Sequence, residues 1–265
     1  MIDKETQQQL REKYNPDGSQ LRQHQLRMVE MLEYFDKLCR EHNIRYWLSS
    51  GNCIGVARHG GFIPWDDDID VEMLREDYLK LEKVFVESDN YVLQTRNNDK
   101  YYFAPYAKMR DKHSFIVEDG QDSNYRYRGI YIDIFQLEYA QRSLCRTFAH
   151  AVNFILVPLC KSNNRAALFL FRILKPTIYA SIAVSRKLFG KLKNNKLRHT
   201  YGSGWINNIR NTDDLFPLQR AKFEHIEVSV PNNLDSYLRK IYGDYTKLPP
   251  EEKIQRPHLR KLEFK

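Results

Sequence analysis

The stretch Trp47–Asp77, WLSSGNCIGVARHGGFIPWDDDIDVEMLRED, decides how the chain reads. Four aspartates, Asp66, Asp67, Asp68 and Asp70, fall within five residues. If Asp68 to Glu72 is a strand, Asp68 and Asp70 project from one face, because side chains alternate with period two. Carboxylates held that close repel strongly unless a cation sits between them. Hard oxygen ligands suit Mg²⁺ or Mn²⁺, which retain waters and bind substrate phosphates as well. The plain alternative is an acidic turn that caps a strand. Ile69 and Val71 tie this turn to a buried strand, and Pro64-Trp65 fixes its approach, which favours metal binding.

A further carboxylate, Asp133, is alone in Gly129-Ile-Tyr-Ile-Asp-Ile-Phe135, a strand candidate otherwise β-branched and aromatic. A lone buried Asp is costly without a partner. It is either a hydrogen-bonded structural residue or a third metal ligand beside Asp68 and Asp70. Upstream, Ser49-Ser-Gly51-Asn52 leaves a short β-rich run and enters a short helix, Cys53 to Arg58. A small-residue turn opening a helix presents backbone N–H groups to a phosphate. Arg58 and His59 then precede Gly60-Gly61, a pair that permits close backbone approach. Lys108 and Arg110 alternate along a strand and share a face, suited to polyphosphate oxygens or, more plainly, to a solvated strand edge.

Working outward, Leu21 to Glu41 carries apolar residues at helical spacing, and Arg75 to Val86 reads as a second helix. Ile69 to Met73, Tyr91 to Thr95, Tyr102 to Met109 and Gly129 to Phe135 read as strands. Interleaved helices and strands predict an α/β or α+β core. After Arg142 the pattern turns helical: Leu144 to Leu159, Ala166 to Leu174 and Ile178 to Leu192. Short strands and a helix return from Leu215 onward. The expected organisation is a core over 1–138, a basic helical insertion over 139–212, and a segment over 213–265 completing the core.

The 265 residues are 42% apolar and 29% charged, which supports a sizeable core and excludes a disordered, collagenous or disulfide-stapled chain. The net charge of +8 is uneven. Between Tyr139 and Arg210 stand 13 Lys or Arg and no Asp or Glu, so the remainder is slightly acidic. That block is either an interfacial element meeting anionic lipid or a lipid-linked acceptor, or a helical subdomain whose basic face is solvated or meets the acidic remainder. No DNA or RNA motif accompanies the charge, so no nucleic-acid partner is expected. Its longest run without Lys, Arg, Asp or Glu, Thr147 to Cys160, is shorter than the roughly 20 apolar residues of a membrane span, so no transmembrane helix is expected. The polar start argues against a signal peptide, and four scattered cysteines, Cys39, Cys53, Cys145 and Cys160, suggest buried, reduced thiols in a cytosolic setting.

The Gly-containing turn and short helix, Arg58-His-Gly-Gly-Phe-Ile-Pro-Trp-Asp-Asp-Asp-Ile-Asp70 and Arg75-Glu-Asp-Tyr78 closely resemble the LicD family. These nucleotidyltransferase-fold proteins include bacterial phosphocholine transferases and the fukutin-related ribitol-phosphate transferases. The resemblance continues at Gly129–Phe135, Tyr237–Tyr245, Leu248-Pro-Pro250 and His258, and is weakest in the basic block. Where relatives usually show Gly-Thr-Leu-Leu-Gly, this chain has Gly51-Asn-Cys-Ile-Gly55.

The resemblance implies a nucleotidyltransferase-like mixed sheet flanked by helices, with Asp68, Asp70 and Asp133 as ligands of Mg²⁺ or Mn²⁺. It also implies transfer of a phospho-alcohol, phosphocholine in the leading reading, from CDP-choline to a sugar hydroxyl of a bacterial surface glycan such as lipopolysaccharide, teichoic acid or capsule, with release of CMP. Donors carrying ribitol, glycerol or ethanolamine, or an inactive lipid-binding scaffold, are the alternatives. In this scheme Gly51, Asn52, Arg58, His59, Lys108 and Arg110 contact donor phosphates or CMP. Asp133 or His258 accepts the proton of the incoming hydroxyl. Trp65, Tyr102, Tyr106 and Tyr131 are candidates for stacking on cytosine or facing a quaternary ammonium. The acceptor glycan, lipid-linked or not, places the chain in the cytoplasm, peripheral to the inner membrane face through 139–212.

Overall fold

The computed structural model describes residues 2–118, 124–189, 196–205, 208–254 and 257–265. Helix α1 (Lys4–Tyr14) starts where the Asp3 carboxylate accepts the Thr6 N–H, and α2 (Gln20–Glu41) starts where the Ser19 hydroxyl accepts the Arg22 N–H. Helix α2 buries Met28, Met31, Leu32, Phe35 and Cys39, the apolar stripe its spacing predicts. There follow β1 (Trp47–Leu48), α3 (Ser50–Ile54) running into a π-helical turn (Gly55–His59), β2 (Asp70–Leu74), α4 (Arg75–Val84), β3 (Tyr91–Gln94), β4 (Ala107–Asp111), β5 (Ser114–Glu118) and β6 (Tyr131–Glu138). The basic block supplies α5 (Arg142–Ala151), a π-helical turn (Val152–Leu156), α6 (Val157–Lys161), α7 (Arg165–Phe189), β7 (Lys196–His199) and β8 (Ile209–Asn211). The chain closes with α8 (Thr212–Leu215), β9 (Gln219–Phe223), β10 (Ile226–Val230), α9 (Leu234–Tyr242) and β11 (Leu259–Phe264).

The main sheet runs β1-β2-β6-β4-β3, with β7 pairing β6 and β8 pairing β7. Strands β2 and β6 are parallel and the other pairings antiparallel, giving the mixed α+β class expected. Two hairpin-like ribbons, β9–β10 and β5–β11, flank it. The main core joins α2 to this sheet through Met28, Phe35, Trp47, Val71 and Ile132. A second, smaller core under the helical hairpin holds Cys145, Leu156, Phe171, Tyr179 and Tyr201. All four cysteines are buried thiols without a disulfide.

Three expectations need correction. Residues 102–106 are loop, and the strand begins only at Ala107, because the Gln136 amide holds the Pro105 carbonyl outside the ladder. The segment 139–212 is not wholly helical. Strands β7 and β8 return to the main sheet, with Leu197 and Arg210 buried there. Finally, α7 is one helix through Pro176, where the sequence suggests two. Pro176 lies on the exposed side, while Phe171, Tyr179 and Ile182 pack on the other and hold the helix together. The end proposed for this helix, at Leu192, falls outside the described residues.

Candidate active site

The parallel register sets Asp70 directly opposite Asp133, and the antiparallel register sets Asp133 opposite Lys108. Three neighbouring strands thus bring two carboxylates and an ammonium to one place. Lys108 Nζ donates to Asp133 Oδ1 at 2.6 Å. Asp68 lies just before β2, in the connection rather than in the strand expected for it. Asp66 joins the group through Gly51: a Cβ added there would stand 3.3 Å from Asp66 Oδ2. Ser50, the residue before, has φ +45°, a strained value for a non-glycine residue.

These acids are held in mutual repulsion. Burial, and then the neighbouring aspartates, push Asp66 and Asp70 well above the usual carboxylate range. Burial with repulsion from Asp67 and Asp133 pushes Asp68 up to about 6. Lys108 is the cation that opposes this for Asp68 and Asp70, and burial pulls its own pKa down. A carboxylate excess of this kind fits a hard divalent cation. Among the described residues no three Asp, Glu, His or Cys side chains already converge tightly enough to enclose one, and Asp133 Oδ1 is engaged by Lys108.

Backbone clamps keep the aspartate run in place. His24 Nε2 lies 3.0 Å from the Asp67 carbonyl, and Gln25 Nε2 donates to the Asp66 carbonyl at 2.8 Å, both from α2. The Leu259 N–H donates to Asp67 Oδ2 at 2.8 Å, which brings the start of β11 to the loop. His258, one residue earlier, is exposed. Behind Asp70, Glu72 is fully buried and takes Trp47 Nε1 (2.9 Å), the Ser49 hydroxyl (2.8 Å) and the Arg210 guanidinium (2.8 and 3.0 Å). Burial alone would push the Glu72 carboxyl up, but Arg210 and His199 beside it hold it far below the usual range. Arg210 also reaches Ser50 Oγ at 3.5 Å and lies over the Tyr237 ring, so β8 supports the turn that precedes Gly51.

Several residues expected to touch substrate are engaged by groups of the protein itself. Asn52 is buried, accepting the Asp70 N–H with Oδ1 (2.6 Å) and donating to the Asp68 carbonyl with Nδ2 (3.0 Å). Both ends of its amide are spent on positioning the acids. The turn amides are also used: Ser50 N–H donates to the Tyr237 hydroxyl, and Asn52 and Cys53 N–H to the Ser49 carbonyl. Arg110 is 1% exposed, donates to Gln94 Oε1 and the Gly129 carbonyl, and lies over the Tyr131 ring. Arg58 is buried on the Tyr245 and Lys247 carbonyls, and both nitrogens of His59 are engaged, by Arg58 Nε and Gln7 Oε1. Burial and the adjacent Arg58 hold the His59 imidazole down to about 3. Trp65 packs edge-on against Tyr14 at 5.2 Å and near His59. Arg58 and His59 border a cleft of about 620 Å³ under α1 whose lining contains none of Asp66, Asp68, Asp70 and Asp133.

The glycine pair has a packing reason. Gly60 has φ +70°, and a Cβ on Gly61 would stand 2.4 Å from Glu224 Oε1, which accepts the Phe62 N–H. Of the aromatic candidates, Tyr102 is buried. Tyr131 lies beneath Lys108 Nζ at 3.5 Å, Tyr106 lies 5.8 Å from the same nitrogen, and the Tyr131 hydroxyl donates to the Glu118 carboxylate at 3.0 Å.

The sequence profile described as "LicD/FKTN/FKRP, nucleotidyltransferase domain" matches residues 43–154, which hold all four acids, Lys108 and Asp133. Across 90% of its length the chain is 30% identical to the lipopolysaccharide cholinephosphotransferase LicD of Haemophilus influenzae, covering 95% of that protein. The chain belongs to the LicD family. As a LicD-family member it is a transferase. Shorter similarity links it to the human ribitol 5-phosphate transferase FKRP, 42% identical over 48 residues, 18% of this chain and 10% of that one. The mouse ribitol-5-phosphate transferase FKTN is 36% identical over 52 residues, 20% and 11% of the two chains.

The Glu72–Arg210 clamp and the α2 contacts to Asp66 and Asp67 were not legible in the sequence. Arg210 is 138 residues from Glu72, inside a block whose charge reads as a surface property. The alternation of Glu72 with Asp70 was the available signal, since a third acid on a buried strand needs a cation.

Proposed function

We propose that this LicD-family transferase moves phosphocholine from CDP-choline to a sugar hydroxyl of a bacterial cell-surface glycan, releasing CMP. The observation that carries the reading is the register of Asp70 against Asp133, with Lys108 on the next strand and Asp68 and Asp66 alongside. Asp68, Asp70 and Asp133 would hold Mg²⁺ or Mn²⁺. Such an ion supplies charge neutralisation to the pyrophosphate that is cleaved. Lys108 adds a positive charge on the same side and fixes one oxygen of Asp133. The Asp133 carboxylate receives the proton of the incoming sugar hydroxyl as its oxygen attacks phosphorus, while the CMP oxygen leaves on the opposite side. Asn52, His24 and Gln25 keep the acid run from drifting, which matters because in-line geometry is lost with displacements of about 1 Å. His258 is the second candidate base, on an exposed segment anchored to Asp67 through Leu259.

Choline is preferred over other head groups because a relative of matching length is named a cholinephosphotransferase, whereas similarity to the ribitol-phosphate transferases covers a fifth of the chain or less. An inactive scaffold would have no use for repelling acids. The reaction is assigned to the cytoplasmic face of the inner membrane, where a lipid-linked acceptor is accessible.

The test is CMP release from CDP-choline, CDP-ribitol, CDP-glycerol and CDP-ethanolamine, each with glycan acceptor, with and without Mg²⁺. Metal-dependent turnover of CDP-choline alone supports the reading. Turnover of another donor keeps the chemistry and overturns the head group. Silence on all four, with no Mg²⁺ binding by calorimetry, sinks it.

A further inference from the structure

The helical hairpin divides its charges and its apolar residues between two sides. Among the described residues of this basic block, Arg186, Lys175 and Arg210 turn inward. Arg186 grips Glu138 with two bonds (2.7 and 2.9 Å), Lys175 Nζ donates to the Lys100 and Tyr102 carbonyls (2.8 and 3.0 Å), and Arg210 meets Glu72. Exposed cations, Arg146, Arg165, Arg172 and Lys187 among them, remain on the outer surface with no acid anywhere in the block. The inward stripe packs in the small core through Cys145, Val152, Leu156, Phe171, Tyr179 and Ile182.

The outward stripe is apolar too. Ala166, Leu170, Ile173, Ala180, Val184 and Leu188 recur on α7 at helical spacing, opposite the buried positions. Phe154, on the π-helical turn before α6, is 72% exposed, and Phe169, on α7, is 62% exposed. A helix that is apolar on opposite faces needs a second apolar neighbour. The stretches Arg142–Lys161 and Arg165–Phe189 are long and apolar enough, by length and composition, to cross a membrane, which removes the length argument against it. Helix α7 is nevertheless tied to the core along its length, at Lys175, at Tyr179 (whose hydroxyl donates to the Phe103 carbonyl) and at Arg186. A helix fastened sideways to a protein core lies along a bilayer rather than through it.

We infer that the α5–α7 hairpin is an in-plane anchor for an anionic phospholipid surface, burying Phe154, Phe169, Leu170 and Ile173 at the headgroup boundary while Arg146, Arg165, Arg172 and Lys187 meet lipid phosphates. Charge selects the occupant: a surface without a single acid and with several exposed cations repels a second copy of itself and attracts a negative bilayer. The anchor is independent of donor identity, so vesicle binding is readable whether or not the chain turns over CDP-choline.

The experiment is co-sedimentation of the full chain with phosphatidylcholine vesicles, with and without roughly 30% phosphatidylglycerol. We expect binding to the anionic vesicles, at least about tenfold weaker on pure phosphatidylcholine and reduced when salt is raised from about 0.1 to about 0.5 M. A Phe154→Ser/Phe169→Ser/Ile173→Ser variant, altered only at exposed positions, should melt like the parent and bind at least about tenfold less. Equal binding by that variant, or no preference for the anionic vesicles, overturns the inference. Loss of a dimer in the variant without any vesicle binding by the parent reassigns the face to a second copy. Retention in bacterial membranes through carbonate extraction overturns the in-plane geometry in favour of a span.

Discussion

Replacing Arg210 by Met tests whether the return of the chain at β8 holds β2, the strand that carries Asp70. In the parent, Glu72 is fully buried, and three of its closest bonds come from the Arg210 guanidinium, at 2.8, 3.0 and 3.1 Å. Arg210→Met leaves that carboxylate with Trp47 Nε1 and the Ser49 hydroxyl, two neutral donors, and His199 at 3.3 Å. Removing one partner of a buried ion pair destabilises by about 3–5 kcal/mol, and the surviving donors place this variant toward the lower end. For a domain of this size that is a fall of about 6–16 °C in melting temperature. Glu72→Gln/Arg210→Met removes the stranded charge, keeps an oxygen for Trp47 Nε1 and turns an amide NH₂ toward the Ser49 hydroxyl, which can accept it, so it should recover at least about 2 kcal/mol of the loss. Urea unfolding of parent, both single variants and the double variant gives the coupling energy directly. A loss under about 1 kcal/mol for Arg210→Met, or a double variant no better than the single, would refute the view that a buried charge is being compensated.

Asp70→Asn should reduce CMP release at least about 100-fold while leaving the fold intact or more heat-stable, since it relieves repulsion among Asp66, Asp68 and Asp133; a less stable, active variant would contradict this. Asn52→Ala should lower kcat about tenfold with little change in KM for the donor, because the side chain holds acids rather than substrate; a selective rise in KM would restore the phosphate-contact reading. Asp36 supplies a pH test away from the site. Burial opposes its ionisation, but hydrogen bonds from Arg220, Tyr46 and Arg40 hold its carboxyl below the usual range. Its contribution, about 1–3 kcal/mol, is therefore present above the unfolded-state value near 3.9 and lost as pH falls through the lower folded-state value. Asp36→Asn should melt lower than the parent at pH 7 and converge with it in acid, and a gap that stays constant down to about pH 2 would show that Asp36 is not a charged anchor.

The core of the fold was legible because its signals are local. Alternation at Ile69 and Val71, helical spacing from Leu21 to Glu41, and the apolar run around Asp133 each survive in a short window. The same period-two rule put Asp70 on β2, although Asp68, its expected partner on that strand, lies in the connection before it, and a lone acid in a β-branched run pointed to Asp133. What could not be read was which polar residues face one another across long separations. Arg58, Arg110 and Asn52 look like ligand-binding residues in sequence, yet each satisfies buried backbone groups brought to it by another part of the chain. A cation near a motif carries the same letter whether it meets a phosphate or a carbonyl. Pro176 misled for the opposite reason, since a local helix breaker was outweighed by packing on the far side of α7.

The helical excursion between β6 and β7 is bracketed twice. Glu138 holds Arg186 at its root, and Glu72 holds Arg210 just after its return. Between those brackets the tip, including Lys161 to Arg165, can change in length and lipid preference without disturbing the strand that carries Asp70. The hairpin is thus an exchangeable module: a graft from another family member should work when both brackets travel with it, and scramble the site when only the helices do.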